Sequence, residues 1–172
     1  MTKSLPALLI LIAFVSTAGP SRAESERAID DTGRLKALDA YWAEVSRAVR
    51  EGDFEGYSAT CHAEGVLVSG LSRKSQPLSE ALARWKKEFD STKAGKIEAN
   101  VEFRFSQRLG DRSTAHETGI FRYSTVDAQG TRKDEFIHFE GLLVKKSGRW
   151  KILMEYQKSR AALKDWKALA GR

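Results

Sequence analysis

The spacing of hydrophobic residues changes along the chain, from a helical pattern in its first part to a strand pattern in its second. Apolar residues at three- and four-residue steps, beginning with Leu35, Leu38 and Trp42, are typical of amphipathic helices. From residue 97 the apolar positions alternate with polar ones, as in half-buried strands. The pattern predicts helices over 30–51, 54–61 and 77–92, a short strand over 66–69, strands over 97–105, 113–125, 134–145 and 150–157, and a basic helix over 159–169. Strands gathered after helices predict an α+β fold with helices on one face of an antiparallel sheet.

The long strands carry apolar residues in both registers. Residues 136, 142 and 144 are apolar in one register, and residues 137, 139 and 143 are apolar in the other. Side chains of alternate registers point to opposite faces of a sheet, so both faces require a cover. We expect the helices and a pocket on one face and a second copy of the chain on the other, because a monomer would expose a large apolar patch.

The chain divides into an addressing segment, one domain and a tail. Residues 1–23 contain Lys3, an apolar run from Leu5 to Val15 and small residues around Ala23, the pattern of a secretory signal peptide. The run is too short to span a bilayer, so no stable membrane anchor is expected after cleavage. The sequence therefore predicts a periplasmic or secreted protein, with a domain over 24–158 and a basic C-terminal helix or tail over 159–172.

Composition argues against several classes of function. The formal net charge is +6, but the basic residues are spread along the chain and do not form the dense patch of a nucleic-acid-binding surface. Cys61 is the single cysteine, and the three histidines show no metal-ligand spacing. Neither a glycine-rich phosphate loop nor a serine-nucleophile motif is present. We therefore expect no nucleic acid, metal or cofactor.

Two segments carry a resemblance to a known superfamily. The first is ALDAYWAEVSRAVREGDFEGYSATCHAEGVLVS, with its Gly-Asp break between two helices, and the second is the closing hairpin LLVKKSGRWKILMEYQ. The chain resembles the nuclear transport factor 2-like superfamily, which includes SnoaL-like polyketide cyclases and ketosteroid isomerase. The resemblance implies a cone-shaped curved antiparallel sheet, with three N-terminal helices enclosing a pocket. It leaves activity open, because the fold hosts both enzymes and binding modules.

The resemblance also indicates where chemistry would lie. Alignment on the Gly-Asp break places Ser69 where ketosteroid isomerase has its carboxylate base, and Val45 where that enzyme has a tyrosine. Tyr41 lies one helical turn earlier, and Glu140 aligns with the acid on a late strand. Two of the three groups are thus missing, and steroid-isomerase chemistry is not expected.

Glu140 and His138 form the best acid/base pair that the sequence offers. They share one face of the strand at an i, i+2 spacing, and Glu140 interrupts an apolar run. If this face lines the pocket, the pair could exchange protons with a substrate. The alternative is that Glu140 lies at the sheet rim or pairs with Arg104 or Arg122.

Aromatic and polar side chains supply the candidate ligand-binding residues. On the last strand, either Glu155 or its neighbour Tyr156 faces the pocket, and the sequence leaves the register open. We predict that the protein binds a small apolar molecule in its pocket. One alternative is a proton-transfer enzyme that uses Glu140 and His138. The other is an accessory subunit that docks through its basic C-terminal helix. The predicted ligand-binding residues are Tyr41, Trp42, Tyr57, Ser69, Trp85, Tyr123 and Glu155.

Overall fold

The computed structural model of the protein describes residues 22–170, with the surroundings of the side chains from residue 31 onward. Apart from its last two residues, the predicted signal peptide lies outside this range. The elements are α1 (Arg22–Glu51), α2 (Phe54–Ala59), β1 (Cys61–Ser69), β2 (Lys74–Pro77), α3 (Leu78–Lys93), β3 (Ile97–Gly110), β4 (Thr114–Asp127), β5 (Arg132–Lys146), β6 (Arg149–Arg160) and α4 (Leu163–Ala168).

The six strands form one curved sheet in the order β2-β1-β6-β5-β4-β3. Neighbouring strands are antiparallel, except that β1 runs parallel to β6. Helices α1, α2 and α3 cover the concave face. This arrangement confirms the predicted α+β cone fold. Strand β2 was not predicted, because its sequence KSQP has no apolar alternation, and it is held by pairing with β1 at the sheet edge.

Gly52 allows the sharp turn between α1 and α2. Its backbone has φ of +64°, in the left-handed region that favours glycine. A Cβ at this position would lie 2.4 Å from the backbone nitrogen of Lys93, so α1 and α3 also approach closely here. Asp53 then caps α2, because its carboxylate accepts a hydrogen bond from the Gly56 N–H at 2.9 Å. The predicted Gly-Asp break is confirmed.

A buried carboxylate links helix α1 to the sheet through hydrogen bonds. Glu117 on β4 is fully buried, and its carboxylate accepts hydrogen bonds from the indole N–H of Trp42 on α1 and from Nε of Arg108 on β3. Arg108 also donates to Asp39 on α1. Because a buried carboxylate is costly without partners, these contacts define the position of α1 over β3 and β4.

Helix α4 packs on the opposite, convex face of the sheet. Trp166 is buried there, with its ring centroid 5.8 Å from that of Phe136, and the Arg104 guanidinium lies 4.0 Å from the ring centroid. The helix is shorter than the predicted 159–169, because β6 continues to Arg160, which pairs with Ile137. Within residues 22–170, no helix is long and apolar enough to cross a membrane.

Candidate functional site

A cavity of about 300 Å³ lies between the concave face of the sheet and helices α1 to α3. Nine aromatic side chains contribute to its wall, together with aliphatic residues such as Val45 and Val101. Ser69 is not among the lining residues, and its hydroxyl instead accepts a hydrogen bond from the Ser72 N–H at 3.2 Å. The structure brings together six of the seven residues predicted to bind a ligand: Tyr41, Trp42, Tyr57, Trp85, Tyr123 and Glu155.

Glu155 is the carboxyl group in the inner part of this cavity. It lies on β6 opposite Gly141, and the amide Nε2 of Gln157 donates a hydrogen bond to its Oε1 at 2.7 Å. Burial among apolar groups raises the pKa of Glu155 above its ordinary value, and the hydrogen bond from Gln157 opposes this shift. A carboxyl with a raised pKa can donate or accept a proton closer to neutral pH.

Two tyrosines accompany Glu155. Burial raises the pKa of both Tyr41 and Tyr57, and the nearby negative charge of Glu155 adds to the effect. The Tyr41 hydroxyl donates to the backbone carbonyl of Thr60 at 3.3 Å. Both phenols therefore stay protonated at neutral pH. Tyr57 lines the cavity with its ring packed on Phe89, at a centroid distance of 5.0 Å.

A second polar group of residues lies where α3 meets the start of β5. Glu88 on α3 and Glu135 on β5 are exposed, and both line the cavity. Tyr123 lies between them. Its strand partner is Glu135. Burial raises the pKa of the Tyr123 hydroxyl, and the negative charge of Glu88 and the hydrogen bond to it add to the shift. The solvent-exposed opening of the cavity is therefore acidic.

Glu140 and His138 lie on the convex face of the sheet, away from the cavity. On β5, Glu135, Ile137 and Phe139 line the cavity, so the alternate residues point the other way. Glu140 accepts a hydrogen bond from Lys158 Nζ at 2.6 Å and lies 3.2 Å from His116 Nε2. The bond from Lys158 is the main cause that lowers the pKa of Glu140. The structure does not bring the predicted acid/base pair to the cavity, nor does it pair Glu140 with Arg104 or Arg122.

Sequence reasoning missed Gln157, Glu88 and Glu135. Glu135 could have been found by extending the alternation of Ile137 and Phe139 two residues back along β5. Glu88 adjoins Phe89 in the apolar stripe of α3, where it borders the core. Gln157 had no such indication, because its orientation depends on the register of β6.

Metal binding finds no support in the described residues. Among the side chains of residues 31–170, no group of three or more His, Cys, Asp and Glu is arranged to hold a metal ion. The thiol of Cys61 lines the cavity, but burial raises its pKa to about 12, so it is a protonated, weakly nucleophilic group.

Solved structures share this architecture. A conserved protein from Planctomyces limnophilus DSM 3776 aligns with a TM-score of 0.63 at 12% identity, over 73% of this chain and 94% of that chain. An NTF-2-like protein of unknown function from Shewanella oneidensis MR-1 aligns with a TM-score of 0.56 at 17% identity, over 72% of this chain and 97% of that chain. A ketosteroid isomerase-like protein from Erwinia carotovora atroseptica SCRI1043 aligns with a TM-score of 0.54 at 17% identity, over 74% of this chain and 96% of that chain. At these identities the likeness shows the fold alone, and it agrees with the fold that the resemblance in the sequence implied.

The family of the chain follows from the sequence profile. The profile of the calcium/calmodulin dependent protein kinase II association domain matches residues 37–162, from the middle of α1 to just past the end of β6. The chain belongs to this family. The comparison with curated proteins finds no match.

Proposed function

We propose that this protein binds a small, largely apolar molecule in the cavity between the sheet and helices α1 to α3. The observation that carries the proposal is the cavity itself, because its own side chains leave about 300 Å³ unfilled. Protein interiors are normally close-packed, and an apolar space of this size is costly to maintain without a purpose. Its volume is at the lower end of the range of about 300–1,000 Å³ that is typical of ligand sites.

The distribution of polar groups supports the same proposal. Ligand sites combine an apolar wall with a few placed polar groups that orient the ligand. Here the wall is built largely of aromatic and aliphatic side chains, while Glu155 and Gln157 supply acceptors and donors on its inner side. A ligand that buries an aromatic or aliphatic body against Trp42 and Phe139 would present one polar group to Glu155.

Native mass spectrometry of the protein purified from its own host tests the proposal. Under gentle conditions we expect a bound small molecule, which denaturing conditions release. The variant Ala99→Phe should lose it, because Ala99 is buried and lines the cavity, where a phenyl ring would occupy the free volume. Ala83→Phe is the matched control, since Ala83 is exposed on α3 and does not line the cavity. Equal occupancy in wild type and Ala99→Phe would contradict the proposal.

Proton-transfer catalysis is a second candidate, favoured by the raised pKa of Glu155. The catalytic group would be Glu155, because Glu140 and His138 do not reach the cavity. A carboxyl in an apolar site can act as a general base or acid in isomerase, dehydratase or cyclase chemistry. With a genuine substrate in hand, Glu155→Gln should abolish turnover while substrate binding persists. Retained turnover in this variant would exclude the candidate.

We also propose export, which the sequence pattern of residues 1–23 supports. The expected product in the host is a periplasmic or secreted chain that begins near Glu24. N-terminal sequencing of the protein from separated cell fractions tests this, and a full-length cytoplasmic chain would refute it.

Finally, we propose a homodimer through the convex face of the sheet. Five half-buried residues share this face on adjacent strands and form an outer strip: Val66, Val68, Leu142, Met154 and Tyr156. The description of the family as an association domain also supports assembly. In sedimentation velocity, wild type should be a dimer and Leu142→Lys a monomer. Ala94→Lys, at an exposed position after α3, is the control, and a monomeric wild type would contradict the proposal.

A further inference from the structure

The cavity carries negative charge without positive charge. Of the described residues that line it, Glu88, Glu135 and Glu155 bear carboxyl groups, and none is a Lys, Arg or His. This imbalance is unusual for the chain, which has 29 Lys and Arg against 23 Asp and Glu. A cavity with this charge distribution would disfavour an anionic ligand, because nothing in its wall would compensate the ligand's charge.

These three carboxyl groups are also free of ion pairs within the described part of the chain. Several acidic residues elsewhere do have ion-pair partners, such as Glu117 with Arg108, Glu140 with Lys158, and Asp53 with Arg47. Among the described side chains, Gln157 is the one donor to Glu155, through its neutral amide, and no basic group stabilises the ionised form of Glu155. The cost of keeping a half-buried carboxyl without a cation would be offset by a cation that arrives with the ligand.

The aromatic wall suits the same kind of ligand. Nine aromatic rings line the cavity, among them Trp42, Trp85 and Tyr57. The face of an aromatic ring attracts an organic cation, and most strongly where water is excluded. The rings also accommodate the apolar body of a ligand, so one wall serves both parts of an amphiphilic amine.

We propose that the cavity selects a small lipophilic amine in its ammonium form, with Glu155 as the counter-ion and the aromatic rings around the rest of the molecule. This inference rests on the proposed binding function and names its ligand class. The exposed Glu88 and Glu135 at the opening would attract the cation before it enters, since acidic side chains around a cleft raise the local concentration of positive ligands.

Three probes with one skeleton and different charges test the selection: 4-phenylbutylamine, 4-phenylbutan-1-ol and 4-phenylbutanoate. Binding is measured by isothermal titration calorimetry and by the fluorescence of Trp42 and Trp85, which both line the cavity. At about pH 8 an alkylamine, with a pKa near 10.4, is cationic. We expect the amine to bind about tenfold or more tightly than the alcohol, because hydrogen bonds to charged partners are stronger, and the carboxylate to bind more weakly than either.

The variant Glu155→Gln tests the contribution of the proposed counter-ion separately from that of the aromatic wall. In this variant the affinity for the amine should fall about tenfold, while the affinity for the alcohol should stay within about twofold. Glu98→Gln is the charge-matched control, because Glu98 is exposed on β3 and does not line the cavity. It should bind all three probes as wild type does.

The outcomes distinguish this inference from the binding function beneath it. If the alcohol or the carboxylate binds wild type as tightly as the amine, the cation selection is refuted and the binding function stands. If the amine is preferred but Glu155→Gln does not weaken it, Glu155 is not the counter-ion and the proposal fails in that form. If none of the three probes binds, both the binding function and the inference are overturned. The wild-type comparison decides the selection even if a variant does not fold.

Discussion

Glu117 provides a direct test of what fastens α1 to the sheet. Its carboxylate is 0% exposed and accepts hydrogen bonds from Trp42 and Arg108. The substitution Glu117→Leu keeps a side chain of similar size but removes both acceptors. The indole N–H of Trp42 and the guanidinium of Arg108 would then face an apolar group.

The expected loss follows from burial. Removing one partner of a buried ion pair costs about 3–5 kcal/mol, because the other charge stays buried and unpaired. Arg108 is 19% exposed and keeps Asp39 as a second partner, so we expect the lower end of that range, about 3 kcal/mol. The free energy of unfolding of an ordinary domain is about 5–15 kcal/mol. For a domain of this size, the melting temperature should fall by about 10 °C.

Urea unfolding, followed by circular dichroism and tryptophan fluorescence, measures this loss. Glu102→Leu is the control on the neighbouring strand. Glu102 is 44% exposed and its ion-pair partner Arg122 is 26% exposed, so this pair should contribute about 1 kcal/mol or less. The double variant Glu117→Leu with Arg108→Met should recover part of the stability, since the orphaned charge is gone. A loss below about 1 kcal/mol in Glu117→Leu would refute the reasoning.

Three further predictions concern single titratable groups. Because burial raises the pKa of Glu155, its contribution to stability is fully present below its ordinary pKa of 4.5 and is lost as pH rises through the folded value. Above about pH 4.5 the free energy of unfolding of Glu155→Gln should therefore fall less steeply with rising pH than that of wild type, and equal slopes would contradict this. Glu140→Gln should lower the free energy of unfolding by at most about 1 kcal/mol and leave ligand binding unchanged, because the pair with Lys158 is partly exposed and outside the cavity. Altered ligand binding would show that Glu140 contributes to the site. Cys61 should react with a thiol reagent at about pH 8 only after unfolding, as burial raises its pKa to about 12, and rapid labelling of the native protein would show otherwise.

The fold could be read from the sequence because it depends on local periodicity. Helix α1, the Gly52 break and the four long strands all appear near their predicted places, since a stripe of apolar residues defines the buried face whatever its partner. Strand β2 escaped detection, because its four residues carry no apolar pattern and pair only at the sheet edge. The end of the chain was also misjudged. Strand β6 extends to Arg160, so only six residues remain for α4.

The aromatic part of the site was accessible for a similar reason. Trp42, Trp85 and Tyr57 lie on the apolar faces of helices that must pack against the sheet, so a cavity at that junction must include them. Their sequence context could not distinguish a filled core from an open one. That difference depends on how far the curved sheet stands from the helices.

The polar part of the site was decided by a single bulge. The tight turn at Ser147 and Gly148 pairs Lys146 with Arg149, and a regular ladder from there would place Glu155 opposite Glu140, on the convex face. The pairing instead shifts at Leu153, an extra residue between Ile152, which pairs with Leu143, and Met154, which pairs with Leu142. A one-residue shift turns every following side chain to the other face.

The sequence by itself therefore determined the elements, their order and the apolar lining, because these follow from periodic patterns along the chain. Only the tertiary structure decided which carboxyl enters the cavity. The bulge at Leu153 brings Glu155 and Gln157 inside and leaves Glu140 outside with Lys158. Periodicity along the chain does not show such a shift, because it depends on how the backbone of β6 pairs with that of β5 in the folded sheet.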